Sequence, residues 1–125
     1  MQIKQYYHPY EWKYMNKVVE NGMVAIIIAP TYGSGWFTWY GKEEMLYDPV
    51  VVDLIQKNNN PDLWDHNEIH DQFTDHIKEK YGIDDYFNID DLALEWVEEG
   101  EEFFVDEYDG AESVRFRDHF KWMKA

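Results

Sequence analysis

A chain of 125 residues with 45% hydrophobic content has the size of one domain, residues 1–125, with apolar material for one core. It contains no cysteine, which excludes disulfides, thiolate metal sites and cysteine nucleophiles and is compatible with a reducing cytosol. A formal charge of −15, from 26 acids against 11 bases, deters direct contact with nucleic acids and anionic membranes.

The charge is lopsided. Residues 1–62 carry 7 acids and 5 bases, whereas residues 63–125 carry 19 acids and 6 bases. Between Asp84 and Glu112 there are 13 acids and no lysine or arginine. Leu92, Leu94, Trp96, Phe103, Phe104 and Val105 are interleaved with those acids and supply core material, which argues against disorder. The plain reading of such a run is a solvated surface; the functional one is an acidic face for a partner. The longest apolar run, Met23 to Pro30, is too short to span a bilayer, and no signal-peptide pattern precedes it. The expectation is a soluble intracellular protein.

In chain order, the aromatic segment after Pro9 predicts a short helix over Tyr10 to Glu20, stopped by Asn21-Gly22. The β-branched run Met23–Ala29 predicts a strand buried on both faces. A loop with three glycines and five aromatics, Pro30 to Gly41, follows it, and Phe37–Tyr40 within it suggests a short strand. Asp48-Pro49 has the form of an N-cap and first helical residue, predicting a helix over Pro49 to Lys57 that ends in Asn58-Asn59-Asn60-Pro61. Ile69, Phe73, Ile77 and Tyr81 recur every four residues before Gly82, predicting a helix from about Asn67 to Tyr81, with His66 a candidate for its cap.

Leu92–Val97 predicts a strand, and the two runs flanking Asp109-Gly110 predict a hairpin. Its register sets Phe103 against Phe116, Val105 against Val114, Glu107 against Glu112 and Glu102 against Arg117. Arg115 then lies opposite Phe104 and diagonal to Asp106, so both arginines are expected to pair within their own sheet. The segment from His119 to Ala125 is either a short docked helix or a tail. The whole predicts an α+β fold: a mainly antiparallel sheet of about four strands (Met23–Ala29, Leu92–Val97, Phe103–Tyr108, Ser113–Arg117) with a C-terminal hairpin, covered by two or three helices.

His66 and His70 stand four residues apart on one helix face, a spacing that suits zinc, but a third ligand would have to come from Asp71, His76 or His119. Histidines at a surface or core edge are the simpler reading, and no metal is assigned. The paired acids point to opposite faces of any strand and are tied to no histidine by spacing. No P-loop, nucleophile elbow or Ser/His/Asp arrangement is present. The sequence therefore points to a binding protein rather than an enzyme, and implies no cofactor.

The loop Tyr32-Gly33-Ser34-Gly35-Trp36 departs from both the dinucleotide and the Walker patterns. Its glycines can present N–H groups to an anion, and Tyr32, Trp36 and Trp39 can stack on a planar ring; the alternative is a turn whose tryptophans cover the sheet.

Three segments, "GSGWFTW", "EEMLYDPVVVDLI" and "DDLALEWVEEGEEFFVDEYDGAES", together resemble a family of small proteins common in bacteriophage and prophage genomes. The matching positions are Gly33, Gly35, Trp36, Thr38, Trp39, Glu95, Trp96, Val97, Glu99, Gly100, Phe103, Glu107, Tyr108, Asp109, Gly110 and Glu112. Ser34, Phe37, Glu98 and Phe104 depart from the family pattern, Phe104 standing where relatives carry arginine.

The resemblance implies a phage setting, the host cytoplasm, and a counter-defence protein that inhibits host immunity by binding. In the favoured mode Tyr32, Gly33, Gly35, Trp36, Trp39, Glu107, Tyr108, Asp109 and Arg115 form a pocket that sequesters a small nucleotide-type signal. In the alternative, Asp84, Asp85, Asp90, Asp91, Glu98, Glu99, Glu101 and Glu102 imitate a phosphate backbone and block the groove of a host defence nuclease. A phage structural or assembly accessory is the third reading, and a homo-oligomer is compatible with all three. A shared pocket requires "GSGW" to lie beside "EYDG".

Overall fold

The computed structural model describes residues 1–9, 12–33, 35–84, 87–117 and 125. Strands β1 (Gln2–His8), β2 (Lys13–Glu20), β3 (Met23–Ile28) and β4 (Ala93–Glu98) form one antiparallel sheet in the order β1-β2-β3-β4. Strands β5 (Phe103–Tyr108) and β6 (Ala111–Phe116) form a separate antiparallel pair. Helices α1 (Phe37–Tyr40), α2 (Pro49–Asn58) and α3 (His66–Tyr81) connect β3 to β4. Among the described residues this is the expected α+β class, with a four-stranded sheet, three α-helices and a C-terminal hairpin.

Strand β3 organises the layers. Val24 to Ala29 are all buried, and their side chains alternate between two cores. Ala25, Ile27 and Ala29 join Val51, Leu54, Ile55, Ile69, Phe73 and Ile77 under α2 and α3. Val24, Ile26 and Ile28 join Met15, Leu46 and Val97, and Phe103, Val105, Val114 and Phe116 of the hairpin pack against them. Helices cover one face of the sheet and the hairpin the other. Each fully buried isoleucine on this strand contributes roughly 1.5–3 kcal/mol of transfer free energy.

The caps explain the helix bounds. The Asp48 side chain accepts from the N–H groups of Val50 and Val51 at the start of α2. Asp65, not His66, caps α3, accepting from Asn67 and Glu68, and Gly82 at φ 69° closes it. Both helices were legible from periodicity and punctuation.

Three expectations differ from the structure. The helix expected over Tyr10–Glu20 is strand β2, preceded by an unanticipated β1; Tyr10 and Glu11 themselves lie outside the described residues. Asn21 (φ 52°) and Gly22 (φ 75°) both have positive φ, as a two-residue hairpin turn requires, so the pair joins β2 to β3 instead of ending a helix. Phe37–Tyr40 is one helical turn closed by Gly41 at φ 74°, not a strand. Finally, the hairpin does not extend the main sheet, whose other members are β1 and β2.

The hairpin register agrees with expectation pair for pair, from Phe103↔Phe116 to Glu107↔Glu112. Asp109 (φ 51°) and Gly110 (φ 84°) form its turn. Arg115 pairs with Asp106 at 3.7 Å and Arg117 with Glu102 at 2.6 Å, both inside the hairpin. Of the expected C-terminal segment, residues 119–124 lie outside the described residues.

Candidate functional site

The loop after β3 and the turn of the hairpin meet. The N–H of Gly33 donates to the carbonyl of Asp109 at 2.9 Å, and the indole N–H of Trp39 donates to Glu107 Oε1 at 3.2 Å. The Tyr32 and Tyr108 rings meet edge-on at 6.2 Å. Tyr32, Gly33, Trp39, Glu107, Asp109 and Gly110 line an open hollow of about 570 Å³. The glycine loop and the Glu107-Tyr108-Asp109-Gly110 turn are neighbours, as a shared site requires.

A buried carboxylate builds this junction. Glu112 is 2% exposed, and its side chain accepts four hydrogen bonds: from the N–H of Ala29 (2.8 Å), Trp36 (3.1 Å) and Thr38 (2.8 Å) and from the Thr38 hydroxyl (2.7 Å). Its own N–H donates to the Ala29 carbonyl at 2.7 Å. Trp36 and Thr38 stand at the start of α1, so Glu112 satisfies donors that a helix leaves open there. One side chain of β6 thereby fixes both the end of β3 and the direction of the loop.

The two tryptophans separate in role. Trp36 is fully buried; its indole N–H donates to the Met45 carbonyl at 2.8 Å, and its ring packs on Phe73 and Phe87. Trp39 is 55% exposed, and Tyr32 and Tyr108 are each 73% exposed. Gly35 is buried and does not line the hollow; a Cβ there would stand 2.3 Å from the Trp39 ring, so only glycine admits this packing. Arg115 lies opposite Phe104, engaged with Asp106, and is not among the lining residues.

The chemistry of the hollow follows from its lining. None of the six residues is basic, and two are acids. Of the loop glycines expected to present N–H groups to an anion, Gly33 spends its amide on Asp109, and the amide of Gly110, which also lines the hollow, is bonded to Glu107 Oε1 at 2.6 Å. Exposed rings beside carboxylates attract cations: the ring faces are negative, and a guanidinium or ammonium gains from both.

The acids expected to form a phosphate-like face are mostly exposed and fall into separate groups rather than one row. Asp84 pairs with Lys78 and Asp90 with His66. His66 and Lys78 are on one helix, about 18 Å apart at 1.5 Å per residue, so these acids sit toward its opposite ends. Glu98, Glu99, Glu101 and Glu102 cluster at the β4–β5 connection, where the Tyr6 hydroxyl first and then Lys4 bond Glu99 and hold its carboxyl below the usual range. Tyr6 is pushed up to about 12, by burial first and then by Glu99. Asp91 is half-buried, and Asp85 lies outside the described residues.

A second buried carboxylate, Asp48, does more than cap α2. Its Oδ2 accepts from the Tyr81 hydroxyl at 2.6 Å, meets His76 Nε2 at 2.8 Å and lies 3.3 Å from the Lys80 ammonium. Burial alone would raise its pKa; the Tyr81 and His76 hydrogen bonds and the charges of His76 and Lys80 outweigh that and lower it. Tyr81 is pushed up by burial and by Asp48. Asp48 thus fastens the start of α2 to the last turns of α3.

His66 and His70 bond Asn58 Oδ1 (2.8 Å) and Asn88 Oδ1 (3.2 Å). Among the described residues no group of three or more His, Asp or Glu is placed to hold a metal ion, and no helix is long and apolar enough to cross a membrane. Compared with family models, with curated proteins and with solved structures, the chain matches none.

Proposed function

We propose that the protein acts by non-catalytic binding to a basic surface of another protein, and that the hollow beside Trp39 receives an arginine or lysine side chain of that partner. The observation that carries this reading is the composition of the hollow: exposed rings and two carboxylates, no base among the described lining residues, and the amides of Gly33 and Gly110 already bonded. The net charge of −15 supplies long-range attraction to the same kind of partner. In the phage setting that the sequence resemblance implies, a nucleic-acid-binding defence protein is a partner of this class, and inhibition is by occlusion of its groove. Separation of the acids into groups favours an anchored contact over imitation of a regular phosphate ladder.

The test is a titration with an arginine-rich peptide in parallel with cyclic dinucleotides and ADP-ribose, followed through the indole N–H resonance of Trp39. The peptide is expected to shift that resonance and to bind more weakly as salt rises. Trp39→Ala and Glu107→Gln should each weaken it by about tenfold or more, near the usual worth of a desolvated cation–aromatic contact. Nucleotide binding that shifts Trp39, or peptide binding indifferent to both substitutions, would overturn the reading.

A further inference from the structure

Strand β1 is an edge: it hydrogen-bonds to β2, and among the described residues no strand occupies its other side. Its seven residues, Gln2–His8, include no proline, glycine or acid. Such an edge presents a row of backbone donors and acceptors, and proteins usually protect it with charge, proline or a bulge. Its one lysine, Lys4, is already engaged by Glu99 at 3.3 Å.

The two faces of β1 differ. Ile3, Gln5 and Tyr7 lie beside Val18, Asn16 and Tyr14 of β2, on the helix side of the sheet. The helices cover Val18 but leave Ile3 50%, Tyr7 49% and Tyr14 63% exposed. Lys4 and Tyr6 lie beside Lys17 and Met15, on the hairpin side.

We infer that β1 pairs antiparallel with β1 of a second copy, across a two-fold axis that passes through Gln5 perpendicular to the sheet. An axis in that direction keeps each face in place, so residues of like parity meet. Centred on Gln5, it opposes every residue of the strand: Ile3 of one copy with Tyr7 of the other, Lys4 with Tyr6, and Gln5 with Gln5. The exposed apolar pair on the helix side is covered and the central amides bond each other, while on the hairpin side Lys4 keeps its partner Glu99. Centring on Lys4 would instead oppose two ammonium groups.

Charge selects a second copy at this edge. Residues 1–20, which carry β1 and β2, hold three lysines against two acids, while the remaining residues hold eight bases against 24 acids. The β1–β2 ribbon is therefore where two such acidic molecules approach with least repulsion, and the strand is its own complement, as an isologous interface requires. The interface shares no residue with the hollow at Trp39.

Because the chain lacks cysteine, Gln5→Cys introduces a single thiol. Opposed residues of an antiparallel pair have Cα atoms about 4.5–5.5 Å apart, within disulfide reach. Sedimentation velocity across the micromolar range should show a reversible dimer. Gln5→Cys should cross-link to a dimer under mild oxidation, while Gln72→Cys on exposed α3 should not, and Ile3→Glu should weaken association by about tenfold or more. A monomer at every concentration, absence of the Gln5→Cys cross-link, or a dimer that Ile3→Glu leaves intact would each overturn the inference. Should Ile3→Glu misfold by circular dichroism, the two cysteine variants decide it alone.

Discussion

Glu112 Oε2 lies 3.1 Å from the backbone nitrogen of Trp36, and this contact ties the hairpin to the loop that leads into α1. The same oxygen takes the N–H and hydroxyl of Thr38, while Oε1 takes the N–H of Ala29. Replacing the carboxylate strands several buried donors at once, and each buried donor left unpaired costs about 1–3 kcal/mol.

Glu112→Ala is therefore expected to lower stability by at least about 3 kcal/mol, and Glu112→Gln by less, because the amide oxygen still accepts. Urea unfolding followed by tryptophan fluorescence measures both. A loss of under about 1 kcal/mol in Glu112→Ala would mean that the loop repositions its donors without cost.

Asp48 gives the protein an acid-sensitive joint. Its folded pKa lies below the ordinary 3.8, so the folded state binds this proton less tightly than the unfolded chain does. Its contribution is fully present above the unfolded value and is lost as pH falls below 3.8 through the folded one. Asp48→Asn is expected to cost about 3 kcal/mol at neutral pH, with the gap to the unsubstituted protein closing in strong acid. Unfolding measured over a pH series checks this; a gap that stays constant into acid would remove Asp48 as its source.

Trp36 and Trp39 test the separation of core from site. Trp36→Ala empties a fully buried position and is expected to cost about 3–5 kcal/mol, with binding to a basic peptide lost only insofar as the fold is lost. Trp39→Ala removes a ring that is 55% exposed, so its midpoint should change little while peptide binding falls. The ratio of binding loss to stability loss should be large for Trp39→Ala and small for Trp36→Ala, and equal ratios would deny the hollow its role.

Helix bounds were legible wherever chemistry is local. Asp48-Pro49, Gly82 and Asp109-Gly110 act on their immediate neighbours, and the structure places caps and turns at each. Asn21-Gly22 carried two local meanings, a helix stop or a hairpin turn, and the choice lay with long-range pairing to β1 and β3 that periodicity does not encode. The same holds for α1: its aromatics suit a strand, and the donors at its start are satisfied by a carboxylate 76 positions away from Trp36. A signal for Glu112 does exist in the sequence: the hairpin register sets Glu107 against Glu112, and opposed acids call for separate partners. Glu107 finds Trp39 and Gly110, and Glu112 finds the loop.

Gly35 sets the position of Trp39, and its substitution should expose that dependence. A methyl group there would stand 2.3 Å from Trp39 Cδ1 and 2.7 Å from Nε1, inside any tolerable contact. The backbone at Gly35 is pinned by the neighbouring Trp36 bond to Glu112, whereas the half-exposed indole can swing outward at the cost of its bond to Glu107. The expected result of Gly35→Ala is a modest stability loss of about 1–3 kcal/mol together with loss of the Trp39–Glu107 hydrogen bond. Nuclear Overhauser contacts between the Trp39 indole and the Glu107 side chain report that bond directly. Their survival in Gly35→Ala, with peptide affinity unchanged, would show that the loop adjusts its backbone and that glycine is not what places the ring.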